Sequence, residues 1–152
     1  MLTGTYIRAI DEKRRVPIPR RLLESLPSKT GKLFVTPGTD GSLAIYAEEA
    51  LAALAERLAR ASPAAEDVRA FSRLFYAQAQ RVELDKQARI RIPPELAELA
   101  GLADEAVLLG LNDRLELWDK DRWNDYLSEK RPQYDQIAES AFGVGRPSVY
   151  EL

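Results

Sequence analysis

One run of residues occurs twice in this chain. Asp11-Glu12-Lys13-Arg14-Arg15-Val16-Pro17-Ile18-Pro19-Arg20-Arg21-Leu22 returns 74 residues later as Asp85-Lys86-Gln87-Ala88-Arg89-Ile90-Arg91-Ile92-Pro93-Pro94-Glu95-Leu96. The alignment matches Asp with Asp, Arg15 with Arg89, Val16 with Ile90, Ile18 with Ile92, Pro19 with Pro93 and Leu22 with Leu96. A second segment follows in the same order at an offset of 72, where Leu43-Ala44-Ile45-Tyr46 meets Leu115-Glu116-Leu117-Trp118, and Gly38 corresponds to Gly110. Two copies are too few to stack as a solenoid. The duplication therefore predicts two half-domains packed about a pseudo-twofold axis within the 152 residues.

Inside each copy the hydrophobic period is two. Tyr6-Ile7-Arg8-Ala9-Ile10 and Val82-Glu83-Leu84 alternate towards a polar turn, and Val16-Pro17-Ile18 and Ile90-Arg91-Ile92 alternate after it, the pattern of two strands around a turn. Pro17 has no N–H for a central ladder, so its strand is expected at an edge or to end there. Pro19 or Pro93 then suits the first turn of a short helix that buries Leu22, Leu23 and Leu26, or Leu96 and Leu99, with Gly101 as a stop. Gly38-Thr39-Asp40-Gly41 reads as a hairpin connection.

Between the copies, Ala47 to Ala61 is rich in strong helix formers. Ser62-Pro63 offers a capping hydroxyl and an N1 proline for a second helix, whose stripe of Val68, Phe71, Leu74 and Phe75 is expected to be buried against the sheets. Asp119 to Lys130 reads as a closing helix ended by Arg131-Pro132, followed by a further helix and a tail containing Gly143, Gly145 and Pro147. The resulting division is a first repeat over 5–50, connecting helices over 51–80, a second repeat over 81–124, and a C-terminal helix and tail over 125–152.

Composition narrows the chemistry. The chain has no Cys and no His, which removes thiol nucleophiles, imidazole bases, disulfides and the usual zinc ligand sets. No segment has the length of a signal peptide core or a membrane span, the longest apolar run being Ala106 to Leu111, so a cytoplasmic protein is expected. Charge is uneven. Residues 1–34 hold eight basic and three acidic side chains, whereas 102–152 hold six basic and eleven acidic ones, a distribution that suits a basic N-terminal face for nucleic acid.

The opening G-T-Y, the D-x-K-x-R-V-x-I-P around Asp11, the central R-x-F-S-R-L-F-Y, the L-D-K-Q-x-R-I-x-I-P around Asp85 and the N-D-R-L-E-L-W before Trp123 and Tyr126 together resemble the MraZ family of bacterial transcriptional regulators. Its chains are tandem pairs of AbrB-like (SpoVT/AbrB type) domains. The resemblance covers nearly the whole length. It implies an α+β fold, with two swapped-hairpin β half-domains forming a pseudo-twofold β-barrel core flanked by helices. It further implies a ring-like homo-oligomer that binds repeated boxes of double-stranded promoter DNA, including that of its own division and cell wall operon, as a nucleoid-associated repressor. Transferred by position, the D-x-x-x-R motif residues are Asp11 and Arg15, and Asp85 and Arg89, with Lys13 matching the family's loop lysine. The family motif has Gly just before the Arg, where this chain has Arg14 and Ala88, and Gln87 replaces the second loop lysine. Should that position require positive φ, a Cβ there costs energy.

The residues themselves leave two readings of each loop. Lys13, Arg14 and Arg15, flanked by Arg8, Arg20 and Arg21, can meet phosphates, and an Arg fork held by a carboxylate can bind guanine. An Asp and an Arg four apart can equally form a local salt bridge that fixes the turn. The second loop, with Lys86 and Arg91 near Arg89 but Glu83, Asp85 and Glu95 interleaved, has little net positive field, so there the structural bridge and DNA contact stand level. Trp118, Trp123, Tyr126, Phe71, Phe75 and Tyr76 read as core or interface anchors rather than a base-stacking platform. Glu48 and Glu49, or Asp119 and Asp121, suit helix first turns. Neither a cofactor motif nor a catalytic constellation is present, so the expectation is a non-enzyme with no cofactor and no small-molecule substrate. Two alternatives stay open, an AbrB-type antitoxin and a protein-binding β module without operator recognition.

Overall fold

The structure is a computed structural model in which residues 1–26 and 31–143 are described. It divides into two compact units, Met1–Lys120 and Asp121–Leu152. In the first unit the chain runs β1 (Thr5–Ala9), β2 (Arg15–Pro17), α1 (Arg20–Ser25), β3 (Leu33–Pro37), β4 (Leu43–Ala47), α2 (Glu48–Arg60) and α3 (Glu66–Gln78). It continues as β5 (Gln80–Val82), β6 (Arg89–Arg91), α4 (Pro94–Leu99), β7 (Glu105–Leu111) and β8 (Arg114–Asp119). α5 (Lys120–Lys130) leads into the second unit, where a 3-10 turn (Arg131–Gln133) and α6 (Tyr134–Gly143) follow. The tail expected around Gly145 and Pro147 lies outside the described residues. Among the described residues no helix is long and apolar enough to cross a membrane.

The protein is thus mixed α+β. A mostly antiparallel six-stranded sheet has the order β1-β7-β8-β4-β3-β5, and β2 and β6 form a separate two-stranded ribbon. The strands on either side of the expected turn do not pair with each other. β1 pairs with β7 and β2 with β6, so both leave their own repeat for the other one. The same holds for β3 with β5 and β4 with β8, while only the hairpins β3–β4 and β7–β8 join neighbours in the chain. The register is symmetric as well. Arg15 faces Arg91 and Arg89 faces Pro17 about the central pair Val16 and Ile90, and Leu43 faces Leu117 and Ile45 faces Leu115 about Ala44 and Glu116.

One apolar core is shared by strands and short helices of both repeats, and it is itself duplicated. Val16, Ile18 and Leu22 recur as Ile90, Ile92 and Leu96, Leu33 and Val35 as Ala106 and Leu108, and Leu43 and Ile45 as Leu115 and Leu117, all buried in one cluster. Burying a side chain of this size stabilises by about 1.5–3 kcal/mol. The repeat offset drops from 74 to 73 and then 72 along these pairs. The last step coincides with the hairpins, since Thr39-Asp40-Gly41 separates Gly38 from Ser42, whereas Asn112-Asp113 alone separates Leu111 from Arg114, so the pairing makes Pro37, not the expected Gly38, the counterpart of Gly110.

The helices correct several local expectations. Pro19 and Pro93 sit at the N-cap, one position before the first turn, and Pro94 takes N1. Leu99 is 47% exposed, and Ala100, one turn after Leu96, fills the buried place instead. Gly101, at φ +61, ends that helix. Ser62 does not cap α3. Its carbonyl accepts the Ala65 N–H in a turn with Pro63 second, and the helix starts at Glu66 with no side-chain cap. Of the expected buried stripe only Phe75 is buried, packing with Ala44 and Tyr46 on the sheet face under α2, whereas Phe71 is 45% and Leu74 63% exposed. Asp119 ends β8, and Asp121 is the acidic residue of the first turn of α5.

The N-terminus is fastened by a close backbone approach. Leu2 is fully buried and exchanges hydrogen bonds with Asn112, its N–H donating to the Asn112 carbonyl at 2.8 Å and its carbonyl accepting the Asn112 N–H at 2.7 Å. Thr3 consequently lies over Gly110, where a Cβ would stand 2.5 Å from the Thr3 nitrogen and 2.7 Å from its carbonyl oxygen. Gly110→Ala is expected to destabilise the fold by about 1–3 kcal/mol, because neither backbone can yield without breaking these bonds. A urea denaturation series, comparing midpoints at constant slope, checks this.

Candidate nucleic-acid interface

Each repeat turns from its first strand into its second through a loop governed by one aspartate. The Arg14 N–H returns to the Asp11 carbonyl at 2.9 Å and the Asp11 N–H reaches the Arg15 carbonyl at 3.2 Å; Ala88, Asp85 and Arg89 repeat the pattern at 3.0 and 2.9 Å. This is a tight turn closed by one left-handed residue, a position that ordinarily takes Gly. Here it holds Arg14 at φ +62 and Ala88 at φ +59. A Cβ in that region costs about 1–2 kcal/mol, so something must hold these residues there. The other repeat does so. The Arg14 carbonyl accepts the Ile92 N–H and the Ala88 carbonyl accepts the Ile18 N–H, each at 2.9 Å. The Arg14 side chain adds an Nε–H donated to the Ile92 carbonyl at 3.0 Å.

The aspartates close the loops from inside. Asp11 Oδ1 accepts the N–H groups of Lys13 and Arg15, and Oδ2 accepts Arg15 Nε at 2.5 Å. Asp85 does the same for Gln87 and Arg89, with Arg89 Nε at 2.9 Å. The β2–β6 pairing brings the loops side by side, and Arg89 Nη1 reaches Asp11 Oδ2 at 3.7 Å. The local salt bridge weighed from the sequence is therefore present in both repeats, and it leaves the arginines oriented and partly accessible, with side-chain exposures of 30% for Arg15 and 26% for Arg89. A carboxylate-held fork is one way to aim a guanidinium at a nucleic acid.

Donation from the Arg15 N–H is the largest influence on the Asp11 carboxyl. Together with the Arg15 side chain and the Lys13 N–H, it outweighs partial desolvation and holds the group below its ordinary value of 3.8. Asp85 is lowered in the same way, first by the Arg89 N–H. A depressed folded-state value means that the stabilisation by both carboxylates is present above that ordinary value and is lost as pH falls through the lower one.

Around this frame Lys13, Lys86 and Gln87 are exposed and Arg14 is half-buried. Val16 and Ile90 point into the core, so Arg15, Arg89 and Arg91 share the opposite, outward face of the ribbon. Over 11–15 and 85–91 there are six cations and three carboxylates, a net positive surface. Arg91 is absent from the sequence-derived site, although the alternation of Arg89-Ile90-Arg91 already assigns it to the face of Arg89. No group of three or more Asp or Glu residues suited to a metal ion occurs among the described residues. The expected anchors divide. Trp118 is buried, and Trp123 stacks on Tyr126 within the second unit with centroids 5.8 Å apart, whereas Phe71 and Tyr76 stand at the surface.

Comparison with known proteins matches the duplication. A family model, that of the MraZ protein (antitoxin-like), fits residues 1–74 and again 75–145. Among curated relatives, the Transcriptional regulator MraZ of Heliobacterium modesticaldum is 41% identical over 140 residues, 91% of this chain and 95% of the relative. The protein of the same name from Acetivibrio thermocellus is 38% identical over 145 residues, 95% of this chain and 99% of its own. That of Moorella thermoacetica is 37% identical over 139 residues, 91% and 95% of the two chains.

Two outcomes follow from the loop geometry. Ala88→Gly should stabilise the protein by about 0.5–1 kcal/mol, the left-handed strain relieved less the added entropy of Gly, and raise its melting temperature. In a carbon-detected NMR titration the Asp11 and Asp85 carboxyls should show midpoints below 3.8. Loop amide shifts should change in the same acidic window and stay constant from pH 5 to 8.

Proposed function

The chain belongs to the MraZ family, and from that membership we propose that it is a sequence-specific DNA-binding transcriptional regulator, acting as a repressor of its own division and cell wall operon. The observation that carries the reading is the meeting of both Asp-Arg loops on one ribbon. Arg15 and Arg89 are aimed by Asp11 and Asp85 from the outward face, with Lys13 and Lys86 exposed beside them. A two-stranded ribbon is one of the two elements that fit the DNA major groove, and an Arg fork matches the acceptors of guanine. Asp11, Lys13, Arg14, Arg15, Asp85, Lys86 and Arg89 form the proposed contact set. Within it the aspartates position, the arginines of the motif read bases, and the lysines meet phosphates. Arg14, tied to the Ile92 carbonyl, contributes field more than contact.

The fold reading that accompanies this function is the swapped-hairpin β-barrel, with 5–50 and 81–124 as the two DNA-binding repeats and 51–80 joining them. Its support is the exchange of both β1 and β2 for partners in the other repeat. We further propose a ring-like homo-oligomer that presents several ribbons to successive promoter boxes and occludes the promoter, in the cytoplasm at the nucleoid and without catalysis or cofactor. Exposed Phe71, Leu74 and Tyr76 on α3, and Tyr134 and Phe142 on α6, supply apolar surface for such contacts. Linked copies would raise the apparent affinity of individually modest sites.

Titration against double-stranded DNA from upstream of its own gene, at several salt concentrations and with a scrambled competitor, tests the reading. Preferential, salt-dependent binding is expected, with Arg15→Ala losing about tenfold or more in promoter affinity and Lys13→Ala lowering the salt slope by about one. Equal affinity for promoter and competitor would shift the reading to a protein-binding module of the same fold.

A further inference from the structure

The two repeats carry their cations at different places. The first loop has Lys13 and Arg14 where the second has Gln87 and Ala88, and Glu12 where the second has Lys86, so the loops keep the same net charge while the second holds one cation fewer. The second repeat adds two cations on its strands. Arg91 on β6 occupies the position of Pro17 on β2, and Arg81 on β5 occupies that of Ile7 on β1, as the matching registers of Arg81 with Phe34 and Ile7 with Val107 require. Arg81 and Arg91 line one open hollow of about 340 Å³, together with Gln80, Glu83, Pro93 and Pro94. β5 is an edge strand, so no further strand of the sheet covers that side.

Arg91 is costly where it stands. It lies directly opposite Arg15 across the ribbon, and like charges facing each other on a ladder destabilise it. Arg15 and Arg89 are relieved by Asp11 and Asp85, but no carboxylate pairs with Arg91 among the described residues. Arg81 holds Glu83 at 3.3 Å in a pair whose side chains are 52% and 80% exposed, a weak attachment that leaves its remaining N–H groups for another acceptor.

We propose that Arg91, assisted by Arg81, grips a phosphate of the DNA backbone, giving the second repeat a contact that the first repeat lacks. The inference rests on the DNA-binding reading above. The duplex is then held unequally by the two halves of one chain, through the loop alone in the first repeat and through the loop and the β5–β6 hollow in the second.

The test compares wild type, Arg91→Gln, Arg91→Lys, Arg81→Gln and Arg15→Ala in one set of salt-series titrations on promoter and scrambled duplexes, with thermal unfolding of each variant. Arg91→Gln should weaken binding to both duplexes alike by about threefold to tenfold, reduce the salt slope by about one and keep the promoter preference. Its melting temperature should equal or exceed that of wild type, because a like-charge pair has been removed. Arg91→Lys should restore most of the binding, since a phosphate accepts either cation, and Arg81→Gln should act in the same direction more weakly. Unchanged affinity and slope for Arg91→Gln, while Arg15→Ala still loses binding, would overturn this inference and leave the DNA-binding reading standing. A loss confined to the promoter, or no recovery with Lys, would overturn the phosphate assignment. Absence of any salt-dependent binding by wild type would overturn the DNA-binding reading itself.

Discussion

The ladder between β4 and β8 joins the two halves of the six-stranded sheet, and the β2–β6 ribbon joins them again. Each of these pairings draws one strand from each repeat, as do β1 with β7 and β3 with β5. A single repeat taken alone would keep one hairpin and leave its other two strands without a partner, with Val16, Ile18 and Leu22 or Ile90, Ile92 and Leu96 facing water. Backbone groups and apolar side chains therefore find their partners in the same event. The contact loops inherit this dependence, because Arg14 and Ala88 receive the amides of Ile92 and Ile18 only when the repeats have paired.

That dependence accounts for the absence of loop glycines. A left-handed turn residue with a Cβ persists where its surroundings over-determine it. Here three kinds of restraint act on each loop: the aspartate that takes two backbone amides, the turn hydrogen bonds, and the carbonyl captured by the opposite repeat. Arg14 gains something that Gly could not give, a guanidinium bond to the Ile92 carbonyl. Ala88 gains no hydrogen bond through its side chain, so the strain there is carried by the frame alone. The two loops share a backbone and differ in what their side chains return for it.

Much of this was legible in the sequence. The paired D-x-x-x-R runs, the period-two alternation and the Gly and Pro punctuation located the strands, the short helices and both loops. Even the two missing glycines pointed to the positions where positive φ is found. Partner choice was not legible in the residue pattern itself, and only the family resemblance implied exchanged strands. A strand's alternation states which face is buried but not which strand completes its ladder, and the sequence pattern of β1 and β2 is equally compatible with a local hairpin. The helical stripe of α3 failed for a related reason: Phe71 and Leu74 share the periodicity of Phe75, yet only Phe75 meets the sheet. Arg91 stands in the sequence as one more cation near the second loop, and the register that sets it opposite Arg15 exists only once β6 has found β2.

Register also explains how one chain can carry two unequal halves without losing its symmetry. The buried pairs of the core interchange across the axis, so a change on one side is felt by its counterpart, and the duplicated positions are all apolar. Outward positions are released from that coupling. Pro17 and Arg91, Ile7 and Arg81, and Lys13 and Gln87 are symmetry mates in the backbone and different in chemistry. A twofold assembly of two identical chains would have to duplicate every such substitution. Joining both copies in one chain removes that requirement, and the surface can then diverge while the pairing that holds it stays symmetric.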